Sequence, residues 1–341
     1  MKKWIAVLCI CALLLGLTAC GQKGGYAIKV GEKVISENDY YRYISLLRGN
    51  YLSVDGAQDS EAFWRSSSGK GGTHAEFLSE TAREQLINTK LYAIQFDRLG
   101  LSFSEEEQER INSTLSQMVE AEGGMSAFVE YLKGYNYTYE EYMEEYLDIV
   151  KKSKVLNHYY GEKGENPLSA KDIKDYYNVH NALVKVVYVL KVDGTTGEAL
   201  PAEKLADAKQ RAEDALAAAS RPSETDLFED VISIFSDSKN ATDAFVISDG
   251  GTYEESISKP VLALEVGEVA LLDLDTAYMI VKRYDGTTDD VFTATMKQAV
   301  VEEIRADDIS AKLEEWRGAV KVKFNKKIIK KYSPLKLIGQ K

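Results

Sequence analysis

Residues suited to covalent, acid–base or metal chemistry are few in this chain and poorly spaced for it. Cys9, Cys11 and Cys20 all fall within the first twenty positions, so nothing beyond them can form a disulfide framework, a cysteine-based zinc site or a thiolate nucleophile. His74, His158 and His180 are far apart, lack a second imidazole at ligand spacing, and read as surface or capping residues. Gly69-Lys70, in the Ser/Gly-rich stretch from Arg65 to Thr73, lacks the upstream glycine and following Ser/Thr of a phosphate loop, and reads as a plain loop. Neither a metal nor a cofactor is expected. Tyrosine is the residue in excess, at 21 copies, and its ring is apolar at one end and wet at the other.

The strongest local signal lies at the start of the chain. Lys2 and Lys3 make a positive region, Trp4 to Leu17 an apolar run, and Leu17-Thr18-Ala19-Cys20 has the form of a lipobox. Fourteen apolar residues fall short of the roughly 20 that a membrane span needs. The reading is an export signal over residues 1–19, with Cys20 as the lipidated first residue of the mature chain and residues 20–25 as a short glycine-rich stalk. Two acyl chains give stable anchoring where one does not. Losing Lys2 and Lys3 takes the net charge from −12 to −14, so an anionic leaflet repels the body of the protein.

The rest of the chain is long enough for about two domains, and 45% apolar residues suffice for a sizeable core. With 54 acidic against 42 basic side chains, nucleic acid is set aside as a partner. Ala27 to Ile35 reads as a small hairpin around Gly31-Glu32-Lys33, and Ser36 as the cap of a helix that fades by Gly49. Ala75 to Leu99 is amphipathic, and Ser104 with Glu107, Thr138 with Glu141, and Ser169 with Asp172 are capping boxes opening further helices. Residues 36 to 180 therefore read as essentially all helix. A valine-rich run from Leu183 to Val192 then has the composition of a strand covered on both faces. Ala206 to Ala219 and the Leu227, Phe228, Val231, Ile232, Phe235 stripe are helical, and Tyr278 to Tyr284 is a second strand ending at Asp285-Gly286. Phe292 to Trp316 returns to helix. Val320 to Phe324 follows as a strand, and the lysines of Lys326 to Lys331 read as a solvated helix end rather than a lipid-binding patch.

This order of elements, with several short motifs in sequence, resembles the parvulin-type foldases of the PrsA and SurA kind. The motifs are Leu99-Gly100-Leu101, Gly123-Gly124 with Phe128, Tyr139-Glu140-Glu141-Tyr142, Asp172-Ile173-Lys174-Asp175-Tyr176-Tyr177, Phe235-Ser236-Asp237, Leu264-Glu265-Val266-Gly267-Glu268-Val269 and Tyr278-Met279-Ile280-Val281-Lys282. The resemblance implies an α+β fold, with a discontinuous helical chaperone domain and an inserted parvulin-like domain built on a small antiparallel sheet flanked by helices. The helical domain takes residues 26–180 and 288–341, and the parvulin-like domain residues 181–287.

At the positions where the resemblance would place chemistry, this sequence departs from the family. The family's histidines on the first and last strands fall at Tyr188 and Met279, and Ser238 stands where Asp or Cys is usual. The Gly-Gly-x-Leu-Gly loop aligns with Thr242, Asp243, Ala244, Phe245 and Val246, and the Met and Phe walling the proline pocket correspond to Tyr253 and Ile257. The peptide-pocket candidates are therefore Tyr188, Phe245, Tyr253, Ile257 and Met279. Rotation about X-Pro needs a twisted amide stabilised, not a covalent intermediate, so a hydroxyl beside an apolar slot could still give some rate. Replacing two histidines by Tyr and Met removes their hydrogen-bond relay.

The expectation is a lipid-anchored chaperone on the extracytoplasmic face of the cell membrane, its parvulin-like part catalytically degenerate. An active peptidyl-prolyl isomerase is the alternative, and a solute-binding lipoprotein a lesser one. The implied partners are unfolded or nascent secreted proteins, the membrane through the lipid on Cys20, and a second copy in a homodimer. The tyrosines at residues 131 to 146 read either as helix packing or as a client-holding surface.

Overall fold

The computed structural model describes residues 25–55, 57–221, 225–238 and 243–339. Cys20 and Thr242 lie outside the described residues. The chain forms two compact units, one of Met1–Glu165 with Asp307–Lys341, the other of Asn166–Ala306.

The first unit opens with β1 (Tyr26–Val30) and β2 (Lys33–Ser36), paired antiparallel around Gly31, whose φ of 58° suits a residue without a β-carbon. Ser36 and Asp39 cap each other: the Asp39 N–H donates to Ser36 Oγ (3.0 Å) and the Ser36 N–H to Asp39 Oδ2 (2.8 Å). The helix they open, α1 (Glu37–Asp55), runs through Gly49 instead of ending there. Glycine costs a helix only about 1 kcal/mol, which the burial of Tyr40, Ile44 and Trp64 nearby outweighs. Then come α2 (Glu61–Arg65), α3 (His74–Arg98), α4 (Glu105–Ala121), α5 (Met125–Gly134) and α6 (Tyr139–Tyr160). The boxes Ser104/Glu107 and Thr138/Glu141 cap α4 and α6, and a further box, Thr73/Glu76, caps α3.

Charges hold α3 to α6. Lys90 Nζ reaches buried Asp148 (2.8 Å) and Glu144 (2.9 Å), and Lys151 adds a second cation to Asp148 (3.2 Å). The end of the chain completes this unit. In α12 (Ala306–Gly318), Trp316 packs against Tyr92 and Tyr159 with ring centroids 5.6 and 5.9 Å away. β7 (Val322–Phe324) pairs antiparallel with β1, giving the sheet order β2-β1-β7, and α13 (Lys326–Lys331) follows. The final turn, Pro334–Lys336, brings Leu335 and Ile338 onto Trp64, Leu47 and Tyr51.

The second unit is a four-stranded antiparallel sheet of order β4-β3-β6-β5, with helices on both faces. Its elements are α7 (Ala170–His180), β3 (Asn181–Leu190), α8 (Ala202–Ala219), α9 (Phe228–Phe235), β4 (Phe245–Ser248), α10 (Glu255–Leu262), β5 (Val269–Asp273), β6 (Ala277–Tyr284) and α11 (Ala294–Ile304). This unit is wider than the 181–287 segment at both ends, because Tyr177 of α7 packs with Phe292 and Val300. The helix read over Phe292 to Trp316 is two helices, α11 and α12, with a turn at Arg305 whose Nη2 reaches Asn166 Oδ1 (3.2 Å).

The fold is thus α+β, and its helical part is discontinuous in sequence. Among the described residues no helix is long and apolar enough to cross a membrane.

Candidate functional site

The alternation of side chains along β3 and β6 divides the second unit's core into two layers. Val187 and Val189 of β3 and Tyr278 and Ile280 of β6 face α8 and α9, meeting Ala208, Ala212, Phe228 and Ile232. The opposite face carries Val184, Val186 and Tyr188 of β3 with Met279 and Val281 of β6, beneath Val261 and Leu264. The register pairs Tyr188 directly with Met279, and Met279 in turn with Leu272 of β5.

All five pocket candidates converge on this second face. Met279 is fully buried in the layer; Tyr188, Phe245, Tyr253 and Ile257 pack against it half-buried, at the margin facing solvent. Phe245, at the start of β4, stacks on Tyr253 with centroids 5.9 Å apart. Ile257 comes from α10, whose buried Val261 seats the helix on the sheet. Burial, with Tyr253 close by, pushes the Tyr188 hydroxyl above the usual phenol range. It stays protonated at neutral pH and can donate a hydrogen bond; it cannot serve as a base. The Met279 thioether is at best a weak acceptor. The site offers an apolar, aromatic-rimmed seat with one hydroxyl, and no pair of groups able to pass a proton.

Sequence reasoning missed the groups that hold Tyr188 in place. Among the described residues the β4 side of β3 has no strand partner beyond Val184, and the segment after α9 takes over that edge. The Tyr188 N–H donates to Ser236 Oγ (3.2 Å), the Asp237 N–H to the Tyr188 carbonyl (2.7 Å), and the Leu190 N–H to Asp237 Oδ2 (2.9 Å). Arg211 of α8 fixes Asp237 in turn (2.8 Å). The Ser236-Asp237 pair is visible in the sequence, but its edge-capping role and Arg211 carry no sequence signal. Ser238 joins this arrangement through its N–H on Ser236 Oγ (3.3 Å). A cavity of about 250 Å³ lies on the other face, where Ala218, Arg221, Asp226, Phe228 and Lys282 line it, and includes none of these residues.

The first unit carries its own aromatic surface. Phe128 of α5 is buried, with Tyr142 edge-on at 5.6 Å, Tyr139 at 6.4 Å and Tyr131 at 6.5 Å. Tyr137 lies under the Arg42 guanidinium (3.9 Å) and donates to Glu145 (2.7 Å); burial and that carboxylate raise its pKa. Phe128, Tyr137, Tyr139 and Tyr142 are packing. Tyr131 and Tyr135, 5.0 Å apart, are 45% and 59% exposed, with Met125 at 49%. The tyrosine cluster is therefore core at one end and open surface at the other.

Residues 1–156 match the model of the SurA-like N-terminal domain family. The foldase protein PrsA of Clostridium botulinum is 25% identical over 353 residues, covering 96% of this chain and 98% of that protein. Among solved structures, PrsA of Streptococcus pneumoniae aligns at 13% identity and TM-score 0.35 over 87% of this chain and 94% of its own. SurA-like chaperones of Campylobacter jejuni align at 14% identity and TM-score 0.29, over 89% of this chain and 100% of the other. Over residues 1–156 the chain is similar to the SurA-like N-terminal domain, and over nearly its whole length it is similar to the foldase protein PrsA of Clostridium botulinum.

Proposed function

We propose that this protein is a lipid-anchored, extracytoplasmic chaperone that holds unfolded secreted polypeptides, with a parvulin-like unit that has lost its acid–base relay. The observation that carries the reading is the cross-strand pair of Tyr188 and Met279, a protonated hydroxyl beside a buried thioether at the two positions where the family's histidines fall. Such a pair can cradle an apolar side chain or a proline ring but cannot relay protons. Holding needs no turnover, and the exposed Met125, Tyr131 and Tyr135 supply weak, sequence-tolerant contacts on a carrier too acidic to aggregate. The anchor is the lipid on Cys20, after removal of residues 1–19; residues 20–25 are the stalk.

The test pairs two assays on the mature chain. It should suppress aggregation of a denatured secreted protein at near-stoichiometric ratio, and show no more than background rate in a protease-coupled assay on a proline tetrapeptide. Robust turnover that Tyr188→Ala abolishes would replace this reading by the isomerase one, which the convergence of all five pocket candidates on one face favours. Incorporation of labelled palmitate, absent in Cys20→Ser, tests the anchor separately.

A further inference from the structure

From Lys321 to the end the chain holds eight lysines and no acidic residue, although its net charge is −12. Lys321, Lys323, Lys326, Lys327 and Lys330 are all exposed. At 100° per residue Lys326, Lys327, Lys330 and Lys331 occupy one arc of α13, and Ile328 and Ile329 the opposite one. Ile328 is buried, which turns the lysine arc outward. Glu37 takes up one of these charges, accepting from Lys331 Nζ (2.7 Å) and from Tyr332 Oη (2.7 Å).

The position of α13 gives these charges a role. A methyl group added to Gly25 would stand 3.4 Å from Ile328 Cδ1 and 3.8 Å from Asn325 Nδ2. The Gly25 carbonyl accepts from the Glu37 N–H (2.9 Å), and the Asn325 N–H donates to the Ala27 carbonyl (2.8 Å). Gly25 is the first described residue, five positions after Cys20. Five residues reach at most about 18 Å even when fully extended, about two Debye lengths at physiological salt. A surface of exposed lysines on an acidic protein therefore lies beside Gly25, where the proposed tether would join.

We propose that β7 and α13 form a cationic face that docks on the anionic phospholipid headgroups of the leaflet holding the Cys20 lipid. This rests on the proposed anchoring for its proximity. Charge separation then orients the molecule: the lysine face is drawn to the leaflet, and the acidic remainder is repelled from it.

The test uses the mature chain, residues 21–341, without lipid, in flotation with vesicles of phosphatidylcholine alone or with about 30% phosphatidylglycerol. Bound fraction should rise about tenfold with the anionic lipid and fall back at high salt, as a multi-lysine contact requires. Lys326→Glu/Lys327→Glu/Lys330→Glu should return it to the phosphatidylcholine value; Lys→Gln at the same positions, which spares Ile328, should weaken it in part. Lys204→Glu/Lys209→Glu, on α8, should bind as wild type does. Equal binding to both vesicles, or no response to the α13 variants when circular dichroism shows them folded, would overturn the proposal. Preference for soluble poly(glycerol phosphate) over the vesicles would overturn it too, since the occupant would then be a polymer and not the leaflet. Because the probe carries no lipid, failure here leaves the palmitate result on Cys20 standing, and the reverse also holds.

Discussion

The two units bury charge in opposite ways. In the helical unit Arg42, Arg48 and Asp148 are buried, and each meets groups of opposite charge: Arg42 meets Asp39 (2.5 Å) and Glu141 (3.1 Å), Arg48 meets Asp59, and Asp148 meets two lysines. In the sheet unit the buried cation Arg283 is held by main-chain carbonyls, those of Leu262 (2.8 Å), Leu264 (2.7 Å), Asn178 and Asn181, and the other buried side chains described are aliphatic and aromatic apart from Ser258 and Thr287. A sheet unit fastened by carbonyls and hydrocarbon has no fully buried carboxylate among its described residues. The helical unit depends on carboxylates staying ionised, and acid should loosen it first.

The largest effect should come from the dry interior. Ile280→Ala, at a fully buried β6 position, should cost about 3 kcal/mol, read as a fall in the denaturant midpoint of the sheet unit. Loss of helical-unit structure instead would break the contrast. Next is the carboxylate clamp at Asp59. Burial opposes its ionisation, but the Gly339 N–H (2.9 Å), Trp64 Nε1 (2.8 Å) and Arg48 prevail and hold its pKa below the usual range. Its stabilisation is therefore present above the unfolded value of about 3.9 and lost as pH falls through the lower folded value. The tryptophans among the described residues, Trp64 and Trp316, both lie in the helical unit, so fluorescence of a chain starting at residue 21 isolates that transition. Its midpoint should drop below about pH 4, and Asp59→Asn should lower stability by about 2 kcal/mol at neutral pH and remove that acid-dependent part.

Two smaller effects sharpen the division between packing and function. Tyr131→Ser/Tyr135→Ser should leave the melting temperature unchanged while weakening suppression of client aggregation; unchanged suppression would assign these rings no role in holding. Tyr188→Phe should be the mildest, deleting a hydroxyl at the sheet's half-open margin without disturbing the Ser236 and Asp237 bonds, which involve only the Tyr188 backbone. Any change in holding then belongs to the hydroxyl.

Local chemistry made much of this legible from sequence. Ser104, Thr138 and Ser169 announce their helices because a short oxygen side chain three residues before an acid satisfies two orphan N–H groups at once. Gathering the five pocket candidates on one face took the resemblance, since Tyr188 and Met279 are far apart in sequence and only strand register unites them. β4 and β5 escaped notice because four- and five-residue strands, mostly half-buried, lack a readable period. Pro260 hid α10, where it sits near the helix end. The turn at Arg305 has neither glycine nor proline to mark it. The charge of the basic tail is legible in the sequence; that Ile328 and Asn325 stand beside Gly25, about three hundred residues away, is not.

The pairing of β7 with β1 has a consequence for the order of assembly. β1 must wait for a strand almost three hundred residues further along, so the helical unit cannot close its sheet until Val322–Phe324 have been made. Ring closure across such a span is slow and entropically expensive, whereas β3 to β6 can find one another within about a hundred residues. The sheet unit is therefore free to mature first, while β1 remains an unpaired edge on that side until β7 arrives.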